Sequence, residues 1–146
     1  MSKVYLALYK GRKSVRSPKA LAMRFADWVI RKATRGIYSH CEIALALGDG
    51  VFECYSSSLR DGGVRCKVMR LPSDKWDLIE INKAGTSVSA FFVATQSCRY
   101  DWLGVVGFPW GLNMRDKWFC SEWCACVLGL PKPHRYTPSD LAVLLN

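Results

Sequence analysis

One class of chemistry is favoured by the residue types of this chain, namely attack by a cysteine thiolate. Of the seven cysteines, Cys120 is best placed, because it lies at the predicted start of a helix. Unpaired backbone N–H groups there stabilise a thiolate and, later, an oxyanion. A thiol nucleophile needs a base, and the chain has two histidines, His40 and His134. Any histidine-dependent mechanism must therefore use one of these two.

Other chemistries have less support in the sequence. A zinc set of Cys120, Cys124, Cys126 and His134 contains no C-x-x-C pair, and on a helix Cys124 and Cys126 point about 200° apart. The odd number of cysteines and the large apolar content argue against a disulfide framework. Neither a phosphate loop nor a dinucleotide-binding glycine pattern is present. We therefore expect no metal and no cofactor.

Strands and helices that would position these residues are predicted from periodicity and turn signals. Strands are predicted at 4–9, 40–47, 51–55, 64–71 and 76–81, and helices at 19–35, within 86–98, at 119–129 and after Thr137. The aromatic stretch 100–114 is interpreted as a loop with a short helix. The result is a single α+β domain over residues 1–146, with helices packed against an antiparallel sheet. In the first helix, Leu21, Phe25, Trp28 and Val29 are predicted to face the core.

Charge divides the 146-residue chain into two unequal parts. Residues 1–36 contain ten Lys or Arg and one acidic residue, whereas residues 37–146 contain 11 of each sign, so the whole net charge of +9 lies in the first segment. An anionic surface contacted by residues 1–36 is one interpretation, and a solvated helix that promotes solubility is the other. No apolar run approaches the roughly 20 residues of a membrane span, and no signal peptide is recognised. We therefore expect a cytoplasmic protein.

Four motifs in a fixed order resemble a known family. The segments Y-S-H-x-E-I-A-L, D-G-V-F-E-C, Y-D-W-L-G and F-C-S-E-W resemble the permuted branch of the NlpC/P60 superfamily, most closely the YiiX/YaeF-like cysteine hydrolases with a papain-like fold. The resemblance spans residues 37–145. It implies that Cys120 is the nucleophile, His40 the base and Glu53 the third catalytic residue. Tyr100 would be a second oxyanion donor beside the Cys120 backbone N–H.

This resemblance implies a thiol hydrolase of the peptidase or amidase type. A thioesterase or a lipid acyltransferase on the same fold is an alternative, so the substrate would be a peptide, a peptidoglycan-like polymer or an acyl or lipid compound. Small permuted relatives occur in bacteria and their phages, which suggests a phage-encoded protein acting in the host cytoplasm. A different alternative is a non-catalytic basic protein that binds nucleic acid or an anionic membrane. In that case Cys120 merely begins a core helix.

Two residues are candidates for the third catalytic residue. A two-residue Asp49-Gly50 turn pairs Gly48 with Val51 and would place Glu53 opposite Ala46. Glu53 would then share the sheet face of His40, but at a distance of ~20 Å. Either a bulge or longer turn shortens this distance, or another group orients the imidazole. Glu42, on the same face as His40, is the alternative orienting residue.

Overall fold

The computed structural model of the chain describes residues 3–11, 17–82, 85–103 and 116–146. These residues form seven strands and four helices, which confirms the predicted α+β class. The strands are β1 (Val4–Tyr9), β2 (His40–Gly48), β3 (Val51–Ser58), β4 (Gly63–Arg70), β5 (Trp76–Ile81), β6 (Arg99–Tyr100) and β7 (Lys117–Trp118). The helices are α1 (Pro18–Thr34), α2 (Gly85–Thr95), α3 (Cys120–Val127) and α4 (Pro138–Leu145), with a 3-10 turn at Pro133–Arg135.

All strands belong to one sheet with the order β5-β1-β2-β3-β4-β6-β7. Neighbouring strands are antiparallel except β6 and β7, which are parallel. Strand β1 is hydrogen-bonded on both edges, to β2 and to β5. Its residues Leu6, Ala7 and Leu8 are fully buried, which explains why the strand is almost continuously apolar in sequence.

The two faces of the sheet carry different apolar clusters. On one face, α2, α3 and α4 contribute Val88, Trp123 and Leu141 to a core that also contains Leu6 and Ile43 from the sheet. The opposite face carries a smaller apolar cluster, formed by Ala7, Ala44, Phe52, Cys54 and Leu71. His40 and Glu42 belong to this second face, because side chains alternate along β2 and Ala44 is two residues further on.

Local signals set the boundaries of two helices. Helix α4 begins after Thr137, which forms a reciprocal capping box with Asp140 and is followed by Pro138. Helix α3 is followed by Gly129, whose φ of 71° favours glycine. Both helices therefore begin and end near the predicted positions.

Helix α1 packs on the rest of the domain through a face other than the predicted one. The expectation that Leu21, Phe25 and Trp28 face the core is wrong, since they are 57%, 64% and 55% exposed. Ala26 and Ile30 are buried instead, and the fourth predicted residue, Val29, is half-buried. The helix thus has two apolar faces, and the one with smaller side chains is used for packing.

The hairpin between β2 and β3 contains a bulge. Ala46 pairs with Phe52 and Gly48 pairs with Val51, so Leu47 is an extra residue in β2. Gly48, Asp49 and Gly50 all have positive φ in the turn. The expectation that Glu53 lies opposite Ala46 is therefore wrong, and its partner is Leu45.

Two remaining expectations concern the loop and the membrane. The predicted aromatic loop over 100–114 falls mainly on residues 104–115, which lie outside the described residues. Tyr100, at the start of that stretch, ends β6. Within the described ranges, no helix has the length and apolar character needed to cross a membrane.

Candidate active site

Cys120 is the first residue of α3, as the sequence predicts. The N-cap residue, Phe119, is extended, and its side chain accepts no hydrogen bond from the first turn. First-turn N–H groups of a helix have no intrahelical acceptor, so they are available to an anionic group at this position. Cys120 is 3% exposed and belongs to the core cluster that the helices form on the sheet.

His40 is the first residue of β2 and lies opposite Tyr9 of β1. Its ring contacts the Trp76 indole edge-on, with the centroids 6.4 Å apart. The imidazole lies close enough to the Cys120 thiol for each group to shift the pKa of the other. The end of a central strand and the start of a helix thereby bring together two residues that are 80 positions apart in the sequence.

Each of these two groups shifts the protonation of the other. A hydrogen bond from Cys41 and the adjacent imidazolium of His40 lower the pKa of Cys120 well below its usual value, against the effect of burial. Burial lowers the pKa of His40, but the Cys120 thiolate and the Glu42 carboxylate outweigh it and raise that pKa to about 10. The pair is therefore a thiolate and an imidazolium near neutral pH.

Glu42 is 1% exposed and links His40 to Arg65, whose side chain is 14% exposed. His40 Nε2–H donates a hydrogen bond to Glu42 Oε1 at 3.0 Å. Arg65 donates to both carboxylate oxygens, with distances of 2.6 Å to Oε1 and 2.9 Å to Oε2. Burial would raise the pKa of Glu42, but these hydrogen bonds and positive charges lower it to about 2. Because Nε2 faces Glu42, Nδ1 is the ring nitrogen left for Cys120.

Arg65 was not singled out in the sequence, although it completes this chain of contacts. It lies on β4 opposite Ser56, whose small side chain lets the guanidinium pass over β3 to Glu42. It also donates to Asp61 at 3.1 Å. The signal that could have found it is electrostatic: a glutamate inside an apolar strand requires a partner of opposite charge.

Comparisons of the chain with protein-family models, with curated proteins and with solved structures each found no match. The resemblance to the permuted NlpC/P60 branch therefore stays a prediction from four sequence motifs. The contacts of the site residues themselves are what supports a function.

Glu53, the first choice for third catalytic residue, points away from His40. Its pairing with Leu45 places it on the sheet face opposite to that of His40 and Glu42. It interacts there with the Tyr55 hydroxyl and the Cys66 thiol. Between the two carboxylates that the sequence offers, the structure brings Glu42 to the imidazole and leaves Glu53 on the other side of the sheet.

Tyr100 lies at the site, beside Ile30 of α1 and Phe119. Burial raises its pKa well above the usual value, and the negative charge of a Cys120 thiolate raises it further. The phenol therefore keeps its proton and can donate a hydrogen bond. This protonation state is the one that an oxyanion donor requires.

Cys41 is a second residue at the site that the sequence did not identify. It is fully buried in the core cluster with Cys120 and Cys124. All seven cysteines are free thiols. Burial raises the pKa of Cys41, so its thiol stays protonated and stabilises the Cys120 thiolate as a donor. Its position directly after His40 was the available signal.

A cleft of about 300 Å³ opens onto the His40 side of this arrangement, and Cys120 lies behind its lining. Sheet residues form its floor and α1 forms one wall; its lining includes His40, Glu42, Arg65, Tyr100, Met23 and Ala26. Such a volume suits a small group or a short segment of a longer substrate. In the part of the chain that the structure describes, no group of three or more His, Cys, Asp or Glu side chains is arranged to hold a metal ion.

Proposed function

We propose that this protein is a cysteine hydrolase that cleaves an amide or an ester through an acyl-enzyme on Cys120. The observation that carries the proposal is the arrangement of Cys120, His40, Glu42 and Arg65. Hydrogen bonds join His40 to Glu42 and Glu42 to Arg65, and Cys120 and His40 shift each other's pKa. In this arrangement, a buried carboxylate and a partly buried guanidinium hold an imidazolium next to a thiolate. A purely structural cysteine at a helix start requires none of these groups.

The reaction begins with attack of the Cys120 sulfur on the substrate carbonyl carbon. The carbonyl π electrons move to oxygen, and the resulting oxyanion is held by the Cys120 backbone N–H and the Tyr100 hydroxyl. His40 then gives its proton to the leaving amine or alcohol as the bond to that group breaks. Water attacks the thioester while His40 takes up the water proton. The C–S bond then breaks, which releases the acid product and restores the Cys120 thiolate beside the His40 imidazolium.

Glu42 and Arg65 have supporting roles in this proposal. Glu42 holds the imidazole ring by its Nε2–H and stabilises its positive charge, which corresponds to the orienting carboxylate of other nucleophile–histidine systems. Arg65 keeps Glu42 ionised and fixes both of its oxygens. We assign the orienting role to Glu42 and not to Glu53, because Glu42 makes the contact with His40.

The motif resemblance adds the fold family to the proposal. A papain-like, circularly permuted NlpC/P60 domain places the histidine on a strand early in the chain and the cysteine later, at a helix start. The order and elements of His40 and Cys120 follow that arrangement. An acyltransferase, which transfers the acyl group to an acceptor other than water, requires the same first half-reaction. We therefore propose the acyl-enzyme, and experiment must identify the acceptor.

Thiol reactivity tests the proposal without knowledge of the substrate. We expect iodoacetamide near pH 6 to alkylate one site rapidly, and peptide mass mapping to locate it at Cys120. The reaction should be lost in Cys120→Ala, strongly slowed in His40→Ala, and unchanged in the matched control Cys126→Ala. Uniformly slow labelling of all seven cysteines would contradict the proposal. Intact-mass detection of a covalent acyl adduct, absent in Cys120→Ala, then identifies cleavable esters and amides.

A further inference from the structure

The outer face of α1, formed by Leu21, Phe25 and Trp28, takes no part in the proposed reaction. Leu21, Phe25 and Trp28 project from it within an arc of about 60°, given 3.6 residues per turn. They lie across the helix from Ala26 and Ile30, the buried residues through which α1 packs. Contiguous exposed apolar side chains of this size are typical of an interaction surface.

The aromatic residues of this face form a continuous apolar surface. The rings of Phe25 and Trp28 stack with centroids 5.8 Å apart and an interplanar angle of 26°. Beside them, an apolar groove of about 450 Å³ runs between Phe25, Leu59 and Trp102. The groove extends the apolar surface from the helix onto the neighbouring loop.

Positive charge surrounds this apolar surface. Lys19, Arg24 and Lys32 of α1 are exposed, and Lys19 and Arg60 line the groove. Residues 1–36 carry ten basic side chains and one acidic one. A partner that matches both features must offer negative charge at its surface and an apolar layer directly beneath it.

We propose that the outer face of α1, formed by Leu21, Phe25 and Trp28 and flanked by basic residues, docks onto an anionic lipid bilayer. Helices with large apolar side chains on one face and Lys or Arg around them lie in the plane of the membrane interface. Tryptophan is enriched at that depth, and long basic side chains reach the headgroups. A nucleic acid would match the charge but would leave Leu21 and the stacked ring pair without an apolar partner.

Docking would place the candidate active site at the membrane surface. The apolar groove and the catalytic cleft share four lining residues, namely Met23, Ala26, Leu59 and Arg60. Helix α1 is therefore both the wall of the cleft and the proposed contact with lipid. Binding itself does not depend on the proposed reaction, so the two proposals can fail separately.

Vesicle sedimentation tests the docking surface directly. We expect the full chain to bind phosphatidylglycerol–phosphatidylcholine vesicles, to bind phosphatidylcholine alone far less, and to be released by salt. The triple variant Leu21→Gln, Phe25→Gln, Trp28→Gln should bind roughly tenfold or more weakly. Charge reversal at Lys19, Arg24 and Lys32 should have a similar effect. Glutamine maintains helix propensity, and an unchanged Tm would show that folding is intact.

Two controls separate this proposal from its rivals. Val143→Gln with Leu144→Gln removes exposed apolar side chains from α4 and should leave vesicle binding unchanged. Cys120→Ala should also bind like the unaltered protein, whatever its effect on chemistry. The proposal is overturned if the apolar triple variant binds vesicles normally, or if the unaltered chain prefers DNA or RNA to anionic vesicles. It is also overturned if the triple variant merely converts a dimer to a monomer in analytical ultracentrifugation.

Discussion

Helices α3 and α1 border the same site from two sides, and they are buried to opposite extents. Seven of the eight residues of α3 are buried, whereas α1 buries Ala26 and Ile30 and exposes its large apolar side chains. The difference matches the separate requirements of the two proposed functions. Reacting atoms need a fixed position, which a helix enclosed in the core provides. A surface that meets a partner must remain accessible.

The composition of each helix follows from its surroundings. Helix α3 packs on the sheet and on α2 and α4, so even its polar residues Ser121 and Glu122 are buried. In helix α1, Ile30 packs with Phe119 and Tyr100, while the apolar side chains of the outer face are exposed. We therefore expect substitutions in α3 to change the stability of the whole domain and those on the outer face of α1 to change binding alone.

The largest expected effect compares one residue type on the two helices. Trp123 is fully buried, packs 5.4 Å from the Phe91 ring and donates from Nε1 to Thr95 at 2.9 Å. Trp123→Ala should lower the free energy of unfolding by about 3–5 kcal/mol in urea denaturation. The matched variant Trp28→Ala should change it by less than ~0.5 kcal/mol. Similar losses in both would contradict the contrast between the helices.

The next prediction concerns the ion pair between Arg65 and Glu42, which lines the cleft. Arg65→Met leaves the Glu42 carboxylate buried without its cation, which should cost about 3 kcal/mol of stability. Adding Glu42→Leu should recover much of that loss, because no buried carboxylate is then left without its cation. Chemical denaturation of the two single variants and the double variant measures the coupling. If the single and double variants were equally destabilised, the charge pair would not be the cause.

Lys32→Met on α1 is the matched control for this pair. It removes an exposed charge, so its unfolding free energy should stay within ~0.5 kcal/mol of the unaltered protein. A loss as large as that of Arg65→Met would mean that α1 is held to the domain by contacts of that lysine.

Those parts of the fold that depend on local sequence could be predicted. Strands β1 and β5 begin and end where predicted, because each is a short β-type run bounded by turn residues. The Thr137 cap and its proline fix the start of α4 within one turn. The start of α3 at Cys120 is likewise as predicted. These signals lie within a few residues of the element that they define.

Features that depend on tertiary contacts could not be predicted. The bulge at Leu47 shifts the pairing register of β2 and β3 by one residue. That shift places Glu53 on the other face of the sheet. The pairing of Arg65 with Glu42 requires knowledge that β4 lies two strands from β2. Helix α1 has two apolar faces, and its periodicity alone does not indicate which one meets the core.

A smaller effect is expected on the reactivity of Cys120, and it distinguishes Glu42 from Glu53. Glu42 helps to raise the pKa of His40 to about 10, so Glu42→Gln should move that pKa down. The imidazolium then supports the thiolate less, and the pKa of Cys120 moves up. Iodoacetamide labelling at pH 6 should slow by roughly tenfold, with its pH profile displaced to higher pH. Glu53→Gln, on the opposite face, should label like the unaltered protein; slowing there instead would return the orienting role to Glu53.

The smallest expected effect tests whether α1 opens independently of α3. Ser17 accepts a hydrogen bond from the Ala20 N–H at 3.1 Å and caps α1. Ser17→Ala should cost about 1 kcal/mol of helix stability. If α1 unfolds locally, this loss should speed hydrogen exchange of α1 amides about fivefold and leave α3 amides unchanged.

Thr137→Ala provides the comparison, because it removes the cap of α4, a helix that buries Leu141 in the core shared with α3. Because α4 shares its core with α3, we expect Thr137→Ala to speed hydrogen exchange in both of these helices. If α1 opens locally, Ser17→Ala should speed exchange in α1 and not in α3. Equal acceleration of α1 and α3 by Ser17→Ala would mean that both helices belong to one cooperative unit. The exposed helix would then be as firmly fixed as the enclosed one, and a lipid partner would meet it as a rigid wall of the cleft.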